Sequence, residues 1–134
     1  IVFGDWSSDV CSSDLLAREI SPPQVLGDAG ATLALVGWGA IYGAMEEAVR
    51  ALNEEGIGVK GIFFEELWPF PRDQALALFE GVRRWAAVEC NFTGQLARLI
   101  QMEILKKPDR LIRKFTGRPL SSAEIVDSFK REVL

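Results

Sequence analysis

The sequence contains no histidine. Imidazole-activated nucleophiles and histidine-ligated metal sites are therefore excluded within this chain. Cysteine is nearly as scarce. Cys11 and Cys90 are too few for a four-cysteine zinc site and do not form a disulfide framework, so a reducing, cytoplasmic setting is expected. No apolar run approaches the ~18–20 residues that span a bilayer. Ile1–Gly4 lacks the basic start and long apolar stretch of a secretory leader. What is present is 134 residues, 49% hydrophobic and 25% charged, which is the composition of one folded domain rather than of a disordered tail.

Periodicity is also missing from one stretch. Asp5 to Leu15 reads DWSSDVCSSDL, with neither helical nor strand spacing. All eleven residues resemble the one-frame translation of a common sequencing-library adapter. Residues 1–15 are accordingly read as a non-native segment and excluded from fold reasoning. Setting aside Asp5, Asp9 and Asp14 takes the 19 acidic residues to 16 against 15 Lys and Arg, a net charge near −1. The apparent acidity is then no argument about partners. Cys11 leaves with the segment, so no internal disulfide remains.

The rest of the chain is regularly patterned. Residues 16–30 form a lead-in punctuated by Ser21-Pro22-Pro23 and Gly27-Asp28. Thr32–Val36 is a continuous apolar run suited to a strand buried on both faces. Ile41, Met45, Ala48, Val49 and Leu52 recur at helical spacing, predicting a helix over about 42–55 stopped by Gly56. Val59–Phe64 reads as a second strand, and Trp68-Pro69-Phe70-Pro71 as a rigid turn leading into a helix that Gly81 closes. Trp85–Glu89 is a third strand, Gly94 to Leu105 a third helix, and Leu111–Phe115 a weaker strand. Ser121 and Glu124, three apart, predict a capping box that opens a last helix. Strands alternating with helices predict a mostly parallel sheet over residues 31–134, covered by helices on both faces.

In such a sheet, ligands and partners meet the carboxyl ends of the strands. Gly37, Gly39, Tyr42 and Gly43 lie on the first such loop. Free backbone N–H groups at a helix start favour an anion there, whereas close strand–helix packing explains the glycines equally well. The glycine spacing is one residue too long for a dinucleotide fingerprint, and no Lys-Ser/Thr pair marks a phosphate loop. Trp68 and Phe70 bring aromatic mass to a stiff turn, either as a core lid or as a subunit contact; contact is the preferred reading. Glu89 ends a strand. Asn91 or Thr93 can cap the helix that follows Gly94, and Gln95 can reach back to it. A general acid–base role for Glu89 would need a second ionisable group to tune it, and the sequence places none. Cys90 has no histidine to activate it, and one cysteine cannot hold an iron–sulfur cluster. Arg118 belongs to a basic stretch, Lys106 to Arg118, with six Lys/Arg and one acid. That excess reads as a solvated face or a match to another subunit rather than as a nucleic-acid surface.

Four motifs carry a family likeness: Val36-Gly37-Trp38-Gly39-Ala40-Ile41-Tyr42-Gly43-Ala44, Leu67-Trp68-Pro69-Phe70-Pro71, Glu89-Cys90-Asn91-Phe92-Thr93-Gly94-Gln95-Leu96-Ala97-Arg98 and Gly117-Arg118-Pro119-Leu120. In this order and spacing, from about Pro22 onward, they resemble the C-terminal domain of the 2-oxoacid:ferredoxin oxidoreductase alpha subunit, most like the 2-oxoglutarate enzyme. Cys90 stands where relatives often carry Asn or Gln, and Phe92 and Leu120 replace commoner Tyr and Phe. The resemblance implies a transketolase C-terminal-like, three-layer α/β/α domain. It implies an enzyme that oxidatively decarboxylates a 2-oxoacid to an acyl-CoA, using thiamine diphosphate with Mg²⁺ and passing electrons through iron–sulfur clusters to ferredoxin. The implied partners are a pyrimidine-binding domain upstream in the same subunit and a beta subunit that carries the pyrophosphate-binding domain. Nucleic acid and membrane are not among them, and no cofactor is expected on this chain alone. The related C-terminal domain of another thiamine enzyme is a neighbouring reading. A free-standing module that binds an anionic ligand at the Gly37–Gly43 loop is the alternative from a different class.

Overall fold

A computed structural model describes residues 15–16 and 19–134. The adapter-like stretch lies outside the described residues except for Leu15. Among the described residues the sheet has five strands, β1 (Gln24–Gly27), β2 (Leu33–Trp38), β3 (Val59–Phe64), β4 (Arg84–Glu89) and β5 (Arg110–Arg113), in the spatial order β1-β3-β2-β4-β5. β2, β3, β4 and β5 run parallel, while β1 pairs antiparallel with β3, Gln24 opposite Phe63 and Gly27 opposite Lys60. The helices that follow β1 are α1 (Tyr42–Glu54), α2 (Arg72–Phe79), α3 (Gln95–Ile104) and α4 (Ser122–Glu132), and a short 3-10 turn, Gly39–Ile41, leads into α1.

The period-two geometry of strands divides the side chains between two cores. Leu35, Val59, Phe63, Ala86 and Val88 face α1 and α4 and meet Met45, Leu52, Ile125 and Phe129. Val36, Ile62, Phe64, Trp85 and Ala87 face α2 and α3 and meet Ala75, Phe79, Leu96 and Ile100. The result is the three-layer α/β/α arrangement expected from the strand–helix alternation. The helix face expected on α1, with Met45, Ala48, Val49 and Leu52, is the buried one.

One element departs from the sequence reading. Residues 24–27 were expected to belong to a linker, and they form the edge strand β1 instead. Three residues between a Pro-Pro pair and Gly27-Asp28 carry too little periodicity to mark a strand. Pairing with β3 supplies the missing information, and Leu26 packs over Gly61, where an added Cβ would lie 2.9 Å from the Leu26 Cβ.

The predicted capping box at the start of α4 is formed. The Ser121 side chain accepts from the Glu124 N–H at 3.3 Å, and the Glu124 carboxylate accepts from the Ser121 N–H at 2.9 Å. The Lys114 ammonium, just beyond β5, donates to both Glu124 oxygens at 2.6 and 2.8 Å. Lys114, then the Ser121 N–H and hydroxyl, lower the Glu124 pKa from 4.5 to about 2. Because the folded value lies below the unfolded one, this contribution to stability is in place above about pH 4.5 and is lost as pH falls toward 2. Glu124→Gln is expected to flatten that part of the stability-against-pH curve, followed by urea denaturation from pH 6 to pH 2. A wild-type curve no steeper than the variant's over that window would contradict it.

Candidate functional site

The carboxyl ends of β2, β4 and β5, with the loops that leave them, make a rim built around Glu89. The Glu89 side chain is fully buried and accepts four hydrogen bonds. Leu96 N–H donates at 2.9 Å and Ala97 N–H at 3.1 Å, both from the first turn of α3. The Asn91 side-chain amide donates at 2.7 Å, and the Trp38 indole N–H, from the end of β2, at 3.3 Å. A carboxylate is the natural acceptor for the free N–H groups at a helix start. Asn91 completes the arrangement, its Oδ1 accepting from Gly94 N–H at 2.7 Å and Gln95 N–H at 3.3 Å. Gly94 takes the left-handed conformation, φ 67°, which carries the chain from β4 into α3.

Of the expected caps, Asn91 serves as one. Thr93 and Gln95 are exposed, and neither side chain hydrogen-bonds among the described residues. The cap that sequence reasoning missed is Glu89 itself. A carboxylate at a strand end seven residues before Leu96 is the signal that was available. All of its oxygens are engaged by donors, so its place in the fold is that of a clamp joining β2, β4 and α3.

The glycines of the β2–α1 loop separate into different roles. Gly37 points into the core: an added Cβ would lie 2.6 Å from Ile41 Cδ1 and 2.9 Å from Met45 Sδ. Gly39, φ 74°, and Gly43 have nothing within 4 Å of that position, so both leave bare backbone at the surface. Tyr42 packs edge-on against Phe63, centroids 5.0 Å apart, toward β3 rather than toward Glu89.

The aromatic residues also divide. Phe70 stacks on the buried Phe64 at 5.6 Å and closes the core, while Trp68 is 76% exposed. Phe92 and Phe115 pair edge to face at 5.0 Å although they remain 66% and 56% exposed. The Arg113 guanidinium lies 5.9 Å above the Phe92 ring and donates to the Phe92 carbonyl. Arg118 lines a groove of about 370 Å³ with Ala40, exposed Cys90, Phe115 and Pro119. Phe92 and Phe115 were not expected as a pair, because the interval between their loops hides their contact.

No group of three or more His, Cys, Asp or Glu side chains among the described residues could hold a metal ion. The residues of this rim do not fit an iron–sulfur cluster or a magnesium site. No helix among the described residues is long and apolar enough to cross a membrane.

The described residues thus form a mostly parallel, three-layer α/β domain with a pinned inner rim and exposed aromatic side chains in the loops around it. Residues 31–125 match the family described as pyruvate:ferredoxin oxidoreductase core domain II, and the chain belongs to that family. It is 38% identical over 105 residues to 2-oxoacid:ferredoxin oxidoreductase 2, subunit alpha, of Aeropyrum pernix, covering 78% of this chain and 16% of that protein. It is 30% identical over 122 residues to the 2-oxoacid:ferredoxin oxidoreductase subunit alpha of Saccharolobus solfataricus, covering 91% of this chain and 19% of that one. The chain thus spans less than a fifth of these relatives. Among solved structures, 2-oxoglutarate:ferredoxin oxidoreductase from Magnetococcus marinus, with 2-oxoglutarate, coenzyme A and succinyl-CoA bound, superposes with a TM-score of 0.84 at 24% identity, over 99% of this chain and 24% of that chain. A split-gene transketolase shares the fold, with a TM-score of 0.64 at 17% identity over 85% of this chain and 43% of that one.

Proposed function

We propose that the chain is the scaffold and subunit-interface domain of a 2-oxoacid:ferredoxin oxidoreductase alpha subunit. The enzyme oxidatively decarboxylates a 2-oxoacid, with 2-oxoglutarate the favoured substrate, to an acyl-CoA and reduces ferredoxin in the cytoplasm. The observation that carries this reading is the exposure of three aromatic side chains, Trp68 in the loop after β3 and the Phe92–Phe115 pair after β4 and β5, on a chain that spans 16% and 19% of its alpha-subunit relatives. Large aromatic side chains left in water are costly and concentrate at protein contacts. The solved neighbour that holds 2-oxoglutarate and succinyl-CoA supports the substrate.

In this reading thiamine diphosphate with Mg²⁺, coenzyme A and the iron–sulfur clusters are held by the upstream pyrimidine-binding domain, the beta subunit and other parts of the assembly. Gly39, Gly43, Trp68, Phe92 and Arg118 face those partners. Glu89 and Asn91 are positioning residues that hold the rim in shape. The isolated chain has no turnover.

The test is to read the gene upstream of the Leu16 codon and to express the extended frame with its neighbouring beta-subunit gene. The expected result is 2-oxoacid-dependent ferredoxin reduction by the assembly and none by the 134-residue chain. Trp68→Ala with Phe92→Ala in the extended subunit is expected to weaken assembly by about tenfold or more without unfolding the domain. A start codon directly before Pro22, or acyl-CoA formation by the chain alone, would overturn the proposal.

A further inference from the structure

Among the described residues β5 is the open edge opposite β1, paired with β4 alone. Beside it a groove of about 570 Å³ runs between the edge and α3. Arg98, Lys107, Arg110 and Arg113 line this groove, and all four are exposed. None of them forms an ion pair among the described residues.

Two acids share the groove, and both are engaged elsewhere. An Asp109 carboxylate oxygen accepts from the Trp85 N–H at 2.8 Å, and Glu132 pairs with Arg131 at 3.4 Å. Two of the cations are held in place, since Arg113 donates to the Phe92 carbonyl and Arg110 to the Asp109 carbonyl. One or two charges suffice to guard an edge strand from unwanted pairing. Four cations against two acids leave the groove net positive, which exceeds that need and attracts negative charge instead.

We propose that this groove docks an acidic, extended segment of a partner polypeptide, which adds to the sheet as a strand beside β5. The free backbone groups of the edge supply the pairing. Carboxylates on alternate residues of the incoming strand lie on the α3 side and match Arg98, Lys107 and Arg113, while Arg110, on the opposite face of β5 with Ile112, adds its charge from the edge. This proposal stands apart from the reading of the exposed aromatic side chains and does not depend on it.

The probe is a peptide of alternating Glu and Thr, titrated into the 134-residue chain, with amide hydrogen exchange followed residue by residue. Saturable binding that slows exchange in Arg110–Arg113 by about tenfold or more is expected, weakening as salt rises from about 0.1 to 0.5 M. Arg98→Glu with Arg110→Glu is expected to raise Kd by about tenfold or more at an unchanged Tm. Arg98→Glu with Lys107→Glu, which leaves β5 untouched, is expected to do the same. Equal binding of an alternating Lys-Thr peptide would overturn the proposal, as would binding that leaves β5 exchange unchanged. Preferential binding of oligothymidylate or of phosphatidylserine vesicles would assign the groove to a different class of partner. Slowed β5 exchange that appears with protein concentration alone would assign it to a second copy, whose β1 edge borders a pocket lined by Asp28 and by Glu46 and Glu54 of α1.

Discussion

Glu89→Ala is expected to destabilise the domain by about 3 to 4 kcal/mol, among the larger losses a single substitution produces. The cost is not that of a missing side chain alone. Leu96 N–H and Ala97 N–H, both buried, lose their acceptor, and the Trp38 indole and the Asn91 amide lose theirs as well. Glu89→Gln keeps one oxygen and is expected to cost about 1 to 2 kcal/mol, since its amide nitrogen must then face a donor. Urea denaturation measures both variants. The amide resonances of Leu96 and Ala97 should move furthest. If both variants lose less than about 0.5 kcal/mol, the clamp is refuted. A Glu89→Gln variant with native stability but no turnover in the assembled enzyme would instead make Glu89 a proton-transfer group.

The glycines of the β2–α1 loop are expected to respond to substitution in opposite directions. Gly37→Val forces a branched side chain into space held by Ile41 and Met45, with the Val88 carbonyl 3.3 Å behind, and a loss of about 2 to 3 kcal/mol is expected. Gly37→Ala is milder because Met45 can swing aside. Ile41→Val removes the Cδ1 atom nearest the new methyl, so the pair Gly37→Ala and Ile41→Val should destabilise less than the sum of the two alone. Gly43→Ala meets nothing within 4 Å in the first turn of α1, and a gain of up to about 0.5–1 kcal/mol is expected. Thermal and urea midpoints decide these cases. A Gly43→Ala chain that is more stable yet assembles less well would place Gly43 at the contact surface. Additive effects at Gly37 and Ile41 would show that the close approach is not what selects glycine.

The parts of this fold that were legible from sequence are those whose signal is local. β3 is a six-residue buried stretch, and Val59–Phe64 reads directly as one. Ser121 and Glu124 announce their own cap. The parts that were not legible depend on pairs of distant residues. Trp38 and Glu89 are joined by a hydrogen bond across 51 positions, and no spacing rule links an indole to a carboxylate that far away. Thr93 and Gln95 are the right residue types at the right offsets for capping, but the buried acceptor from β4 had already taken the N–H groups. Phe92 and Phe115 are unremarkable alone in sequence; only the return of β5 alongside β4 makes them one exposed pair. Phe70 and Trp68 sit two residues apart in one motif, yet one seals the core and the other faces water.

The antiparallel strand contributed by the lead-in also changes where the domain can be cut. The family match begins at residue 31, and a fragment trimmed there would lose β1. β3, six residues all buried, would then stand as the outermost strand, with Lys60 its sole charge. Leu26 would no longer cover Gly61. An uncovered strand rich in Ile and Phe is a template for intermolecular pairing. The few residues between Pro23 and Asp28 therefore act as a guard against aggregation as well as a connector, and a soluble version of this domain has to begin before them.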